Sequence, residues 1–179
     1  MNSAHESHQA SVLQVLKKAE TLKAAGGPKS FRNGRMLSLS LSGFHEIAYT
    51  DWGPRDAEST VICVHGLTRQ GRDFDRLAEA LAEQGHGVIC PDLPGRGASQ
   101  WMRNTLDYVF PQYCADMTAL IGGVSGKISW VGTSLGGLIG MVLAGSEGSP
   151  IERLVLNEIR QIRSFAAGAA AGSGDRSTR

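Results

Sequence analysis

From Ile128 to Ser146 nineteen consecutive residues carry no charge, and Gly132, Thr133, Ser134, Gly136 and Gly137 break that stretch in its middle. A charge-free run of this length could cross a bilayer as one helix. The glycines and hydroxyls at its centre point instead to two shorter pieces. Ile128–Val131 reads as a buried strand. Leu135, Leu138, Ile139, Val142 and Leu143 then mark a helix that is apolar over a broad face and is expected to be well buried. A strand that hands over to a buried helix within a residue or two belongs to a layered α/β architecture.

The rest of the chain keeps that rhythm. Met36–Leu41 alternates apolar with small polar residues, and Gly43 turns the chain into His45–Asp51, which reads as an antiparallel hairpin. Thr60–Val64 and Val88–Cys90 are short continuous apolar runs, as expected of strands buried on both faces. Between them Phe74, Leu77, Ala78 and Leu81 recur at helical spacing, and Gly85 and Gly87 end that helix. Pro91–Ser99 is a loop rich in Gly, Pro and Arg. Tyr113, Met117, Leu120 and Ile121 share the face of a second helix, and Arg153–Leu156 is the last clear strand. The expected fold is α/β: a mostly parallel sheet of about six strands flanked by helices on both sides.

Three segments follow from this reading. Residues 1–30 are an appendage in which Val12, Leu13, Val15, Leu16, Ala19 and Leu22 fall on one side of a helix that Gly26-Gly27-Pro28 ends, and a packed surface helix is expected. Residues 31–159 form the core. Residues 160–179, almost wholly Ala, Gly, Ser, Thr, Asp and Arg after position 165, have little to bury and are expected to be disordered.

Charge narrows the partners. The net charge of +1 gives no electrostatic reason to expect nucleic acid or an anionic membrane. The N-terminus lacks a basic cluster followed by an apolar run, so no secretory signal is read. Cys63, Cys90 and Cys114 cannot all pair, and their spacing suits neither zinc nor a redox dithiol. Cys63 and Cys90 sit in apolar runs as small core residues, which fits a reduced, cytoplasmic setting. No metal-ligand cluster or nucleotide-binding glycine pattern is present, and Gly132–Gly137 lacks the Gly-Lys-Ser/Thr ending of a phosphate loop. No cofactor and no metal are expected.

Gly132-Thr133-Ser134-Leu135-Gly136 matches G-x-S-x-G in the context that gives that motif meaning, a strand before it and a helix after it. Turning so sharply forces the serine into a strained conformation, and side chains two positions away would collide across the turn. Glycine at both flanks, Gly132 and Gly136, removes the collision. The hydroxyl then stands at the carboxyl end of the sheet, where open α/β folds place their ligands. The free N–H groups of the new helix point to the same spot.

With these residues in order, the chain resembles the α/β-hydrolase family. Val64-His65-Gly66-Leu67 looks like the family's His-Gly loop after the third strand. Asp92-Leu93-Pro94-Gly95-Arg96-Gly97-Ala98-Ser99 is similar to its D-x-x-G-x-G-x-S loop after the fourth, and Arg153–Asn157 resembles its sixth strand. The resemblance, from Leu37 to Glu158, implies Ser134 as nucleophile and the backbone N–H groups of Leu67 and Leu135 as the oxyanion hole. It implies hydrolysis of a small-molecule ester, lactone or other acyl bond, with carbon–carbon bond hydrolysis left open. Serine at the elbow argues against dehalogenase or epoxide hydrolase chemistry, which starts from an aspartate in related enzymes. His65 precedes the nucleophile and is expected to shape its loop, and Asp92 to hold its own loop by Asx-type hydrogen bonds. Arg69 and Arg72 are solvated charges or contacts to a substrate carboxylate. Trp101 and Met102 line an acyl pocket or simply pack.

A serine needs an imidazole to take its proton, and the imidazole needs an acid to orient it. In this fold the order is Ser, then Asp or Glu, then His. His5, His8, His45, His65 and His86 all precede Ser134, and none follows it. Glu158 is the one acid near a triad position. Two further strand–helix units and a lid are also expected after the sixth strand, and 21 residues follow Glu158. The sequence is therefore expected to be a truncated or frameshifted form, inactive by itself. The rival reading is a non-catalytic remnant or binding module, and a half-enzyme completed by a second chain is a third. The sixth strand, left as a sheet edge with Leu154, Val155 and Leu156 exposed, is expected to drive self-association.

Overall fold

The computed structural model describes residues 30–158. The expected N-terminal helix and the expected disordered tail therefore lie outside the described residues. Six strands form one sheet: β1 (Arg32–Ser40), β2 (Gly43–Trp52), β3 (Ser59–Val64), β4 (Gly87–Pro91), β5 (Lys127–Thr133) and β6 (Ile151–Asn157). Their order is β1-β2-β4-β3-β5-β6. β1 pairs antiparallel with β2, and β2 antiparallel with β4. The pairs β3–β4, β3–β5 and β5–β6 are parallel. Three α-helices connect and cover them: α1 (Asp75–Ala82), α2 (Phe110–Gly122) and α3 (Leu135–Gly145).

Continuous apolar runs became strands because both sides of the sheet are buried. Ile62 and Val64 of β3 join Ile128, Trp130, Met117 and Ile139 on one side. Val61 and Cys63 join Val88, Cys90, Trp52 and Ala78 on the other. Cys63 and Cys90 are thus buried free thiols. Burial and the neighbouring Cys63 thiol push the Cys90 thiol well above its ordinary range, with the Cys63 hydrogen bond the larger cause.

The charge-free stretch divides as expected into β5 and α3, and no helix among the described residues is long and apolar enough to cross a membrane. The burial of α3 is narrower than its sequence suggests. It packs through Gly136, Gly137, Ile139 and Gly140, whereas Val142 stands exposed beside Met141. Small residues let this helix lie close on β5 and β6, and Leu135 and Leu143 pack half-buried against the same core. A Cβ at Gly140 would overlap the Trp130 indole. Of the three apolar residues expected to be exposed at the β6 edge, Leu156 is exposed, while Leu154 and Val155 are half-buried.

The hairpin departs most from ordinary alternation. In β1 the serines face inward and the leucines outward. Ser38 is buried and donates to Asp116 Oδ1 of α2 at 2.7 Å. His45, also buried, places Nε2 3.0 Å from the same oxygen, and Gln112 donates to it at 2.8 Å. Ser40 donates to Asp107 Oδ2 at 2.8 Å, and that bond holds the Asp107 carboxyl below its usual range. A buried carboxyl needs such donors, and here the hydrogen bonds come from Ser38 of β1 and Gln112 of α2, while His45 lies close without making one and Asp116 Oδ2 has no partner.

Candidate active site

Ser134 is the last residue before α3 and has φ 50° and ψ −110°. For a residue with a side chain this left-handed value costs of order 1–3 kcal/mol, and it persists only where the surroundings enforce it. They do so here from several directions. A Cβ at Gly132 would overlap the Gly136 carbonyl, and one at Gly136 would overlap the Val64 carbonyl of β3. Only glycine lets the three backbones approach so closely. The Trp130 indole N–H donates to Gly136 O at 2.9 Å and pins the first turn of α3 to β5. Ser134 N–H donates to Asn157 O at the end of β6, 3.1 Å away. The Ser134 side chain is exposed at the carboxyl end of the parallel strands.

The loop after β3 passes directly beside it. A Cβ built at Gly66 would lie 3.5 Å from Ser134 Cβ. His65 organises this loop. Leu93 N–H donates to His65 Nε2 at 2.9 Å, so the ring proton is on Nδ1, which donates to Gly66 O at 2.6 Å. Arg69 N–H donates to the same carbonyl at 3.1 Å. Because a trans peptide is planar, holding Gly66 C=O also aims the Leu67 N–H on the opposite edge. Burial keeps the imidazole pKa below its ordinary value, which preserves the neutral ring that this geometry requires.

The Asp92 loop braces the same region. Asp92 Oδ2 accepts from Ala98 N at 2.8 Å in its own loop, and Oδ1 accepts from Gly71 N at 2.7 Å beyond β3. Arg96 lies between the rings of Tyr108 and Tyr113 and donates from Nε to Leu67 O at 3.0 Å and from Nη1 to Tyr113 Oη at 3.0 Å. The backbone of Leu67 is therefore tied on both sides, through Gly66 O and through its own carbonyl. Arg69 is paired with Asp73 and Arg72 with Asp75. Trp101 is exposed and Met102 buried.

Sequence reasoning located Ser134, Gly132, Gly136, Leu67 and Leu135, and these converge at one end of the sheet. It did not find Trp130, Asn157 or Arg96 as supports. The signal for Trp130 was present, an indole with an N–H to satisfy between Ile128 and Val131 in a strand read as buried. Glu158 follows Asn157 with φ 50°. The three described histidines are all engaged elsewhere: His45 beside Asp116, His65 between Leu93 and Gly66, and His86 with Ser59 Oγ at 2.7 Å. Among the described residues no cluster of His, Cys, Asp and Glu could hold a metal ion.

Residues 59–172 match the family model described as alpha/beta hydrolase fold. The chain is 46% identical over 129 residues to a 3-hydroxybutyrate-oligomer hydrolase of Cupriavidus necator, covering 72% of this chain and 44% of that protein. It is 32% identical over 106 residues to the lipase LipV of Mycobacterium tuberculosis, covering 59% and 38%. The chain thus spans less than half the length of these curated relatives. Among solved structures, the thioesterase domain from the curacin biosynthetic pathway superposes with a TM-score of 0.69 at 25% identity, covering 78% of this chain and 50% of that one. An α/β hydrolase from Novosphingobium aromaticivorans does so with a TM-score of 0.62 at 32% identity, covering 72% and 45%. A strained serine between β5 and α3, a braced loop after β3 and this extent of similarity agree: the chain belongs to the α/β-hydrolase fold family.

Proposed function

We propose that Ser134 is the nucleophile of a serine hydrolase acting on a small acyl compound, and that esters of short hydroxy acids are the first class to test. The observation that carries this reading is the exposed Ser134 side chain at φ 50°, flanked by glycines that no other residue can replace. The similarity to the 3-hydroxybutyrate-oligomer hydrolase supports the substrate class. In the proposed step Ser134 Oγ attacks the ester carbonyl and loses its proton to an imidazole. The Leu67 and Leu135 N–H groups hold the oxygen that becomes negative. Collapse of the tetrahedral intermediate expels the alcohol, which takes up that proton, and water then releases the acid from the acyl-serine. His65 and Arg96 act as positioning residues for Leu67.

A second reading rests on the engaged histidines. An imidazole for Ser134 has to come from outside the described ones, and no histidine follows Ser134 in this sequence. By itself the chain would then bind acyl compounds without turning them over. One experiment separates the two. The purified chain is given 4-nitrophenyl butyrate and linear 3-hydroxybutyrate dimers, and separately a fluorophosphonate. Turnover abolished by Ser134→Ala supports the first reading. Slow labelling of Ser134 without turnover supports the second, and labelling that survives Ser134→Ala removes Ser134 from both.

A further inference from the structure

The loop after β3 carries a charge that the proposed reaction does not use. A Cβ built on Gly66 would lie 3.5 Å from Ser134 Cβ and 3.8 Å from Arg69 Cγ, so the serine and the arginine flank one glycine. The Arg69 N–H bond to Gly66 O, 3.1 Å long, fixes the backbone from which that side chain starts. The Arg69 side chain is 65% exposed, and its Nε donates to Asp73 Oδ2 at 2.5 Å. Around it opens a depression of about 290 Å³ lined by Thr68, Arg69, Gln70, Asp73, Arg96 and Gly97. An exposed arginine with an i,i+4 carboxylate is ordinarily a solvated surface charge. What sets Arg69 apart is its stem beside the glycine that touches the candidate nucleophile.

Charge and geometry both favour an anion there. Two guanidinium groups and a single carboxylate line the depression, so positive charge is in excess. Asp92, close by, already accepts from Gly71 N–H on one oxygen and from Ala98 N–H on the other. Arg96 is occupied by Leu67 O, Pro94 O and Tyr113 Oη, and Arg72 by Asp75. Arg69 is less committed. Among the described residues Asp73 engages its Nε, whereas a guanidinium offers five N–H groups in a planar fork. The Nη groups at the end of that fork can hold a second carboxylate through two parallel bonds. The existing pair is exposed and contributes little to stability, so a ligand can reshape it at small cost.

We propose that Arg69 is a specificity-determining residue that binds a free carboxylate on the leaving-group side of the substrate. The inference rests on the reading of Ser134 as nucleophile and narrows the substrate class to anionic esters, those in which the alcohol part is a hydroxy acid with its own carboxyl unesterified. In an ester of a 3-hydroxy acid that carboxyl carbon follows the scissile carbonyl carbon by four bonds, an extended reach of roughly 5 Å. Side chains placed on either side of Gly66 suit a span of that size. When the tetrahedral intermediate collapses, the bond between the former carbonyl carbon and the alcohol oxygen breaks. That oxygen takes up the proton, and a hydroxy acid anion departs from Arg69. A methyl ester of the same acid carries no charge and leaves Arg69 to Asp73 and solvent.

Binding is measured by calorimetry on the full chain carrying Ser134→Ala, so that nothing is turned over, with the linear 3-hydroxybutyrate trimer and its methyl ester as probes. The free acid should bind about fivefold tighter than the ester, the scale of one exposed charged contact. Adding Arg69→Gln should abolish that preference and leave ester binding unchanged, and Arg69→Lys should restore part of it. Equal affinity for acid and ester, no binding of the acid, or a preference that survives Arg69→Gln overturns the proposal. Should Arg69→Gln misfold, Asp73→Asn decides, because it removes the competing carboxylate: a larger preference for the acid supports the subsite, and an unchanged or smaller one refutes it. Fluorophosphonate treatment of the unsubstituted chain keeps the two readings apart. Labelling at Ser134 without an acid preference sinks the subsite alone. An acid preference without labelling removes the nucleophile, and with it the leaving-group assignment.

Discussion

At the scale of single residues, strain and protonation make two claims. Ser134 holds φ 50° because its neighbours leave no other path between β5 and α3. Glycine accepts that conformation without strain but loses more backbone freedom on folding. Ser134→Gly is therefore expected to raise stability by up to about 1 kcal/mol while removing fluorophosphonate labelling. Urea unfolding measures the first effect, and a loss of stability would mean that the hydroxyl itself supports the turn. His65 gives the second claim. Burial lowers its folded pKa below the ordinary value of about 6.5. The unfolded chain then binds more protons below that pH, so the contribution is fully present above about pH 6.5 and is lost as pH falls toward the folded pKa. The urea midpoint should drop between pH 7.5 and 5.5, and His65→Gln should flatten part of that drop. Identical pH slopes in both proteins would remove His65 as the cause.

At the scale of elements, sheet edges and loop braces decide behaviour. Among the described residues β6 pairs with β5 on one side only and shows Leu156 to solvent. Unpaired strand groups are templates for another chain, and self-association through this edge is our expectation. Elution should shift to larger size with concentration, and Leu156→Pro, which removes an N–H on the free side of the strand because its neighbour Asn157 turns its backbone groups toward β5, should weaken the shift. A monodisperse monomer at all concentrations would oppose it. The loops after β3 and β4 work as one unit, because Asp92 bonds to Gly71 and Ala98 and Arg96 bonds to Leu67. The sequence showed D-x-x-G-x-G-x-S as a local loop. Its grip on the neighbouring loop depends on β3 and β4 lying side by side.

At the scale of the whole molecule, what could be read in advance followed chain-local physics. Continuous apolar runs meant strands with two buried faces, helical spacing meant α1 and α2, and Gly132 and Gly136 meant a turn that sidechain-bearing residues could not make. Those rules operate within a few residues, so the sequence by itself determined the α/β class, the strand–turn–helix at Ser134 and the antiparallel hairpin. Only tertiary structure decided which side of that hairpin faces solvent. Alternation cannot say whether serines or leucines turn inward until Asp116, 78 residues from Ser38, supplies a buried acceptor for the hydroxyl. The tertiary fold likewise assigned His65 to a carbonyl and a neighbouring loop, and made Arg96 a brace for Leu67. In each case the reason is the same: a buried polar group takes its direction from a partner, and the partner's place is set by the packing of distant elements.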